Sequence, residues 1–331
     1  MASVPGSAEV VRQLLASPEP SVRLKTLLRV VGLVDDAPAV RRARGEIRGS
    51  ERVRTLLSER GPDGRIPFHP YRAKWYGAHW VLATLAELGY PAGDRSLVPL
   101  REQTLGWLLS EEYISRLIGK VRGRTRIHAS IDGNAVHALL ALGLADDRVE
   151  ELVARLLAAQ WPDGGWNCDR RASGATSSFT ESLIPLRALV LHAKVAGSAA
   201  SGRAAERAAE VFLSRRLFRR RQDGSVIHPS FLTLHYPCYW HYDVLFGLKV
   251  LGEAGLLGDP RCGEALDLLA SKRLPDGGFP AEARYYRPTT TMVPSQRSLV
   301  NWGGVGSRRM NQWVTVDALS VRRAAGRPIS S

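Results

Sequence analysis

The sequence predicts an all-α protein, a tandem array of about five helical hairpins. Three observations predict it. A turn signature centred on aspartate and glycine recurs along the chain. An apolar stripe of helical period follows each recurrence. No stretch sustains period-two alternation over several strands, so an extensive sheet is not expected.

The fullest copy of the turn is Gln160-Trp161-Pro162-Asp163-Gly164-Gly165-Trp166. Proline sets φ and lacks an N–H, so Pro162 ends a helix running from Val153 to Ala159. Asp163 can bond the backbone just ahead of it, and the glycines accept positive φ. Trp161 and Trp166 flank the turn as apolar plates with one donor each, suited to fastening one hairpin to the next. Shorter copies are Gly61-Pro62-Asp63-Gly64, Gln222-Asp223-Gly224-Ser225 and Pro275-Asp276-Gly277-Gly278-Phe279. Their aspartates are spaced by 163 − 63 = 100, 223 − 163 = 60 and 276 − 223 = 53. The first interval is about twice the others, which places a degenerate copy near residues 113–125, where Gly119 to Gly123 breaks the pattern. A repeat of roughly 50–60 residues marks a helical array and argues against a doubly wound sheet.

Residues 1–58 read as a helical N-terminal extension, with a helix over Pro20–Val31 capped by Ser21 and another from Ser50 to Leu57 capped by Ser50. Residues 59–331 read as the repeat domain. Its principal helices align when counted back from the small residues Gly89, Gly143, Ala193, Gly252 and Gly326. Seven positions back lie Leu82, Val136, Leu186, Leu245 and Leu319; four back lie Leu85, Leu139, Leu189, Leu248 and Arg322. That is one buried stripe, broken only in the last repeat. Eleven back lie Ala78, Asp132, Ser182, His241 and Thr315, and nine back Trp80, Asn134, Ile184, Asp243 and Asp317, so these ends are polar and aromatic where the C-terminal ends are apolar. If the hairpins curl into a ring, these helix starts meet in one mouth, which favours anions. Arg148–Ala159, Ser201–Arg216 and Cys262–Lys272 supply outer helices, and Tyr285–Pro294 reads as a strand or long loop.

Leu156-x3-Gln160-x3-Gly164-x-Trp166 resembles the QW motif of the terpenoid cyclases, which share an α/α-toroid fold with protein prenyltransferase β subunits. The resemblance covers residues 50–326 as repeats and one clean motif. The other three copies hold Arg60, Arg220 and Arg273 at the glutamine position. It implies an α/α toroid around an aromatic cavity for an apolar, isoprenoid-type ligand or lipid-like molecule. The wall would be Trp75, His79, Trp80, Phe179, Tyr239, Trp240 and Trp313, with His128 and Asp317 as polar contacts. Aromatic faces would stabilise a developing carbocation. The Asp-x-Asp-Asp acid and the Asp-Asp-x-x-Asp motif of that superfamily are absent, leaving Asp132, His241 and Asp243 as candidate acids or bases.

Composition sets further bounds. The 331 residues suit one large domain or two ordinary ones, and no apolar run approaches the roughly 20 residues of a membrane span. The N-terminus has no secretory pattern, and three cysteines without a CxxC pair fit a reducing cytoplasm. A net charge of +14 invites a nucleic-acid reading, yet only six of the 46 basic residues are lysine, a bias that composition alone can produce. In the cluster Arg215, Arg216, Arg219, Arg220 and Arg221, aromatic residues do not alternate with arginine as base-stacking platforms would.

Two local clusters carry chemistry. His235 to Asp243 holds Cys238, His241 and Asp243, which are zinc-competent types, although on a helix position 243 would face away from 241. No metal is required by the reading. His128 and Asp132 are spaced i, i+4, an acid–base pairing if the helix has begun, whereas capping is the plainer role for Asp132 at a helix start. No P-loop, dinucleotide fingerprint or nucleophile elbow is present. Three functions stay open: a cyclase- or transferase-like enzyme, a non-catalytic binding or scaffold ring, and a basic nucleic-acid binder.

Overall fold

A computed structural model describes residues 5–289 and 297–328. The chain forms an α/α toroid. Its inner helices are α5 (Ala78–Leu88), α8 (Ala129–Ala141), α10 (Phe179–Ala196), α12 (Val244–Glu253) and α14 (Gln312–Ala324). Each packs on the next, α5 on α8, α8 on α10, α10 on α12 and α12 on α14. The outer layer is α6 (Val98–Leu108), α9 (Asp147–Ala159), α11 (Ala199–Leu213) and α13 (Gly263–Ser271). Outer helices α9 and α11 keep one exposed polar face. Inner helices α8 and α10 are buried nearly all round, because each has neighbours on both sides and outside. The stripe residues Leu82, Leu85, Val136, Leu139, Leu186, Leu189 and Leu248 are all fully buried.

Three of the four turn copies share one hydrogen-bond pattern. Trp161 N–H donates to the Gly165 carbonyl and Gly164 N–H to Trp161; Leu274 and Gly277 do the same with Gly278 and Leu274, and Gly61 and Gly64 with Arg65 and Gly61. The 223 copy is one residue wider, from Arg220 to Ser225. At Gly164, φ is 100°, and a Cβ would lie 2.1 Å from the Arg207 carbonyl oxygen, so only glycine fits. Gln160 Nε2 donates to the carbonyls of Gly164 and Ala204, tying the end of α9 to α11. Arg273 Nε donates to Gly277 with the same four-residue reach, so arginine takes over the amide's task there. Near the degenerate copy, α7 (Glu111–Leu117) is followed by a two-stranded hairpin, β1 (Gly119–Val121) with β2 (Arg124–Arg126).

Helix α10 runs one turn past Ala193 and passes through Pro185. Proline removes a donor, and the backbones come close here: a Cβ on Gly133 of α8 would meet Pro185 N at 2.8 Å. This contact draws the starts of α8 and α10 together.

The N-terminal helices α1 (Pro5–Leu15), α2 (Pro20–Lys25), α3 (Pro38–Ile47) and α4 (Glu51–Leu57) pack over the remaining side. Helix α2 continues as a π-helical turn to Val31, and its cap is Glu19, not Ser21; Ser50 caps α4 as expected. Lys25 reaches Glu87 of α5 at 2.6 Å and Asp317 of α14 at 3.5 Å, bridging the first and last inner helices. Of the Tyr285–Pro294 stretch, β3 (Arg287–Pro288) pairs in parallel with β4 (Arg297–Ser298), and residues 290–294 lie outside the described residues.

Candidate functional site

The expected greasy hollow is not present among the described residues. The space at the ring centre is about 40 Å³, lined by Glu87, Arg187 and Asn134 as well as Tyr236, Tyr239 and Phe246. That holds about a water molecule, not an isoprenoid chain. The centre is filled by charge. Lys249 lies 2.8 Å from Asp317, Arg187 lies 3.0 Å from Glu87 and 2.6 Å from Glu253, and Lys25 joins Glu87. Burial pushes the Glu87 carboxyl up, but Lys249, Lys25 and Arg187 outweigh it and hold it well below its ordinary value.

The mouth formed by the inner-helix starts is different. A continuous aromatic band crosses it. Trp107 stacks on Tyr71 (5.5 Å between ring centroids), Tyr71 meets His79 and Trp80, Trp80 meets Trp75, and Trp75 stacks on Tyr239 at 3.8 Å. His241 lies flat between Trp240 (4.0 Å) and Tyr285 (3.7 Å). The ammonium of Lys74 sits over Tyr71, Trp75 and Trp240. Of the expected wall, Trp75, His79, Trp80, Tyr239 and Trp240 are thus brought together. Phe179 packs instead with Phe212, Phe231 and Tyr242, Trp313 with Tyr236 and Trp302, and Asp317 belongs to the central charge network.

Several buried polar atoms in this band have no hydrogen-bond partner: both ring nitrogens of His79, Nε2 of His235, Nδ1 of His241 and Nε1 of Trp240. Buried groups are ordinarily satisfied; other such atoms are scattered, among them Tyr236 Oη, Asp317 Oδ1 and the indole nitrogens of Trp302 and Trp313, and the band holds a group of them together. Burial pushes His79 down to about 3; burial, then His235, does the same to His241.

His235 is a residue that the pattern of the sequence did not single out. Its Nδ1 lies 2.7 Å from Asp243 Oδ2, which also accepts the His235 backbone N–H at 2.9 Å. Asp243 precedes α12 and caps it, Oδ1 accepting from Phe246 N. The carboxylate is therefore fixed by two backbone donors, and it orients the imidazole with Nε2 left over. Residues 236–243 are not helical, so Cys238, His241 and Asp243 do not share a helix face. They are not a metal-binding group among the described residues. The available signal was the eight-residue separation of His235 and Asp243 around Pro237, which lets a loop fold back on its own cap.

A second cluster lies at the start of α8. Asp132 is inside the helix, not its cap, because α8 begins at Ala129. Its carboxylate is fully buried, accepts from Tyr113 Oη at 2.9 Å and pairs with Arg155 at 3.3 Å. Burial is the dominant influence and raises it to about 6, with Arg155 and Tyr113 opposing. Glu181 of α10 reaches across: Oε2 accepts the Ser130 N–H at 2.9 Å, and Oε1 is 3.6 Å from His128 Nδ1. Cys168 completes the group. Its sulfur and the nearest ligand atoms of His128 and Glu181 all lie within 4.8 Å of one another.

No known protein-family model matches this chain, and no curated protein matches it. Among solved structures, it is similar to a glycosyl hydrolase family 88 protein from Bacteroides vulgatus, at 11% identity and a TM-score of 0.46, over 96% of this chain and 98% of that one. It is also similar to the unsaturated glucuronyl hydrolase of Bacillus sp. GL1, responsible for the degradation of glycosaminoglycan, at 13% identity and 0.44, over 96% and 94%. At these scores the likeness carries no activity across. The expectation of a terpenoid cyclase or prenyltransferase β subunit is corrected by the ring centre, which holds ion pairs where that chemistry needs an apolar cavity. An apolar or lipid-like ligand goes with it. The scaffold alternative gains no support, and neither does nucleic-acid binding: Arg216 and Arg219 pair with Glu264, while Arg215 and Arg220 donate to backbone carbonyls. Among the described residues no helix is long and apolar enough to cross a membrane.

Proposed function

We propose that the chain is a hydrolase of the acid–base class, acting at the aromatic mouth on a polar, ring-bearing substrate of the carbohydrate type. One observation carries the reading: the Asp243–His235 pair, buried behind His241 and Tyr285, with a fixed carboxylate on Nδ1 and an unpartnered Nε2, so that a shift of one of those two rings is what admits water to it. In this arrangement His235 Nε2 takes a proton from the attacking water as the water oxygen bonds to the substrate carbon; the bond to the leaving group then breaks, the imidazolium returns the proton to the leaving oxygen, and Asp243 stabilises the imidazolium in between. The partly exposed rings of Tyr71, Trp107, Trp240 and Tyr285 support the substrate class, because flat faces beside polar atoms suit the C–H faces and hydroxyls of a sugar. Three free cysteines support a cytoplasmic setting.

The test is turnover of a panel of glycosides, unsaturated uronides included, by wild type and by His235→Gln. Loss of an oriented base costs about 10²- to 10⁴-fold in kcat. A His235→Gln protein that melts like wild type and turns substrate over at the wild-type rate ends the proposal, as does a wild type inert on the entire panel.

A further inference from the structure

We propose that His128, Cys168 and Glu181 form a zinc site at the rim of the toroid. The three residues come from three segments: the lead-in to α8, the loop after the tryptophan turn, and the first turn of α10. Their ligand atoms converge within 4.8 Å. A tetrahedral zinc with bonds of about 2.0–2.3 Å needs its ligands roughly 3.2–3.8 Å apart, so closure takes about 1 Å of side-chain adjustment.

A separate observation points to a cation. Glu181 is 7% exposed, and among the described residues no lysine or arginine pairs with it; its one ion-pair contact is His128. Buried carboxylates are paired or hold metals. The surroundings also preset the ligands. Ser130 N–H holds one Glu181 oxygen and leaves the other facing His128. The Cys168 loop is pinned by Asn167 Nδ2 to Thr176, by Arg126 to Gly174 and by Ser178 N–H to Trp166. Hydrogen bonds of this kind, one step out from the ion, are what hold ligands in place at metal centres. A third of the His128 side chain is exposed, which leaves an approach for the ion and for water in the fourth position.

The chemistry balances. Zinc brings two positive charges, the Glu181 carboxylate and the Cys168 thiolate two negative ones, and the imidazole stays neutral. Binding releases the thiol proton to solvent. A thiolate with imidazole and carboxylate suits zinc better than magnesium or calcium, which take oxygen ligands. This site is separate from the Asp243–His235 pair, so either assignment stands or fails without the other.

The experiment uses the full chain, stripped with chelator and titrated with Zn²⁺ or Co²⁺. One equivalent of zinc per chain is expected, and with cobalt a near-ultraviolet thiolate-to-metal charge-transfer band. Cys168→Ser should lose that band, while Cys262→Ser should keep it. Zinc should also shield Cys168 from iodoacetamide in the wild type, read by peptide mass spectrometry, which keeps the test open if Cys168→Ser does not fold. No stoichiometric metal, a band surviving in Cys168→Ser, or alkylation of Cys168 indifferent to zinc each overturns the site. Any of these would leave the plain His128–Glu181 ion pair as the explanation of the cluster.

Discussion

The central charge network and the aromatic band treat most of their buried polar groups differently, with Asp132 at the start of α8 paired as well and Asp317 Oδ1 in the network left without a hydrogen bond. At the centre and the C-terminal side, Lys25, Glu87, Arg187, Lys249, Glu253 and Asp317 are interlocked as ion pairs. At the N-terminal mouth, His79, His235, His241 and Trp240 keep polar atoms without partners. Satisfied buried charge holds a structure in one arrangement, whereas unsatisfied buried donors and acceptors hold interaction capacity in reserve for something else. The contrast separates what closes the ring from what acts on a substrate. It also explains why the centre, where an apolar ligand was expected, is the part least suited to one.

The largest expected effect tests the closing network. Glu87→Ala leaves Lys25, Lys249 and Arg187 short of a counter-charge, and removing one partner of a buried pair costs about 3–5 kcal/mol. Urea denaturation of the variant reads this directly. A loss below about 1 kcal/mol would show that the network is solvated and that the contrast between network and band is not real.

A somewhat smaller effect concerns Asp132. The folded chain retains the Asp132 proton up to about pH 6, whereas the unfolded chain releases it near the ordinary value of 3.8. Its stabilising contribution is therefore complete below pH 3.8 and is lost as pH rises through about 6. A rise of that size corresponds to about 3 kcal/mol at most. Asp132→Asn should flatten the stability profile across that window relative to wild type, measured as denaturation midpoints at each pH. An unchanged profile would mean that Tyr113 and Arg155 keep the carboxylate ionised.

The smallest effect addresses how the mouth is assembled. Gly133→Ala forces α8 away from Pro185, and overpacking of this kind costs about 1–3 kcal/mol. Because the same contact brings Glu181 to Ser130, the variant should also weaken zinc binding while His235 keeps its place. Unaltered stability would show that the two helices can separate freely.

Much of the architecture was readable along the chain. The Asp-Gly turns and the seven-and-four stripe marked the inner helices, since turn chemistry and helical period are local properties. Ser50 as a cap was legible for the same reason. Asp132 was not: a helix start was expected at that residue, and the helix begins three residues earlier, which turns a cap into a buried carboxylate. His235 opens the cluster that the sequence marks, but its pairing with Asp243 depends on a non-helical loop folding back, which no helical spacing records.

By itself, the sequence determined the repeat, the turns and the buried stripes, because each depends on neighbours a few residues away. Only the tertiary structure decided what fills the ring and which side chains meet at its mouth. His128, Cys168 and Glu181 stand 40 and 13 residues apart, and Lys25 meets Asp317 from nearly the opposite end of the chain. Such meetings depend on how far each hairpin turns relative to the last, an angle accumulated from packing contacts that no local pattern records.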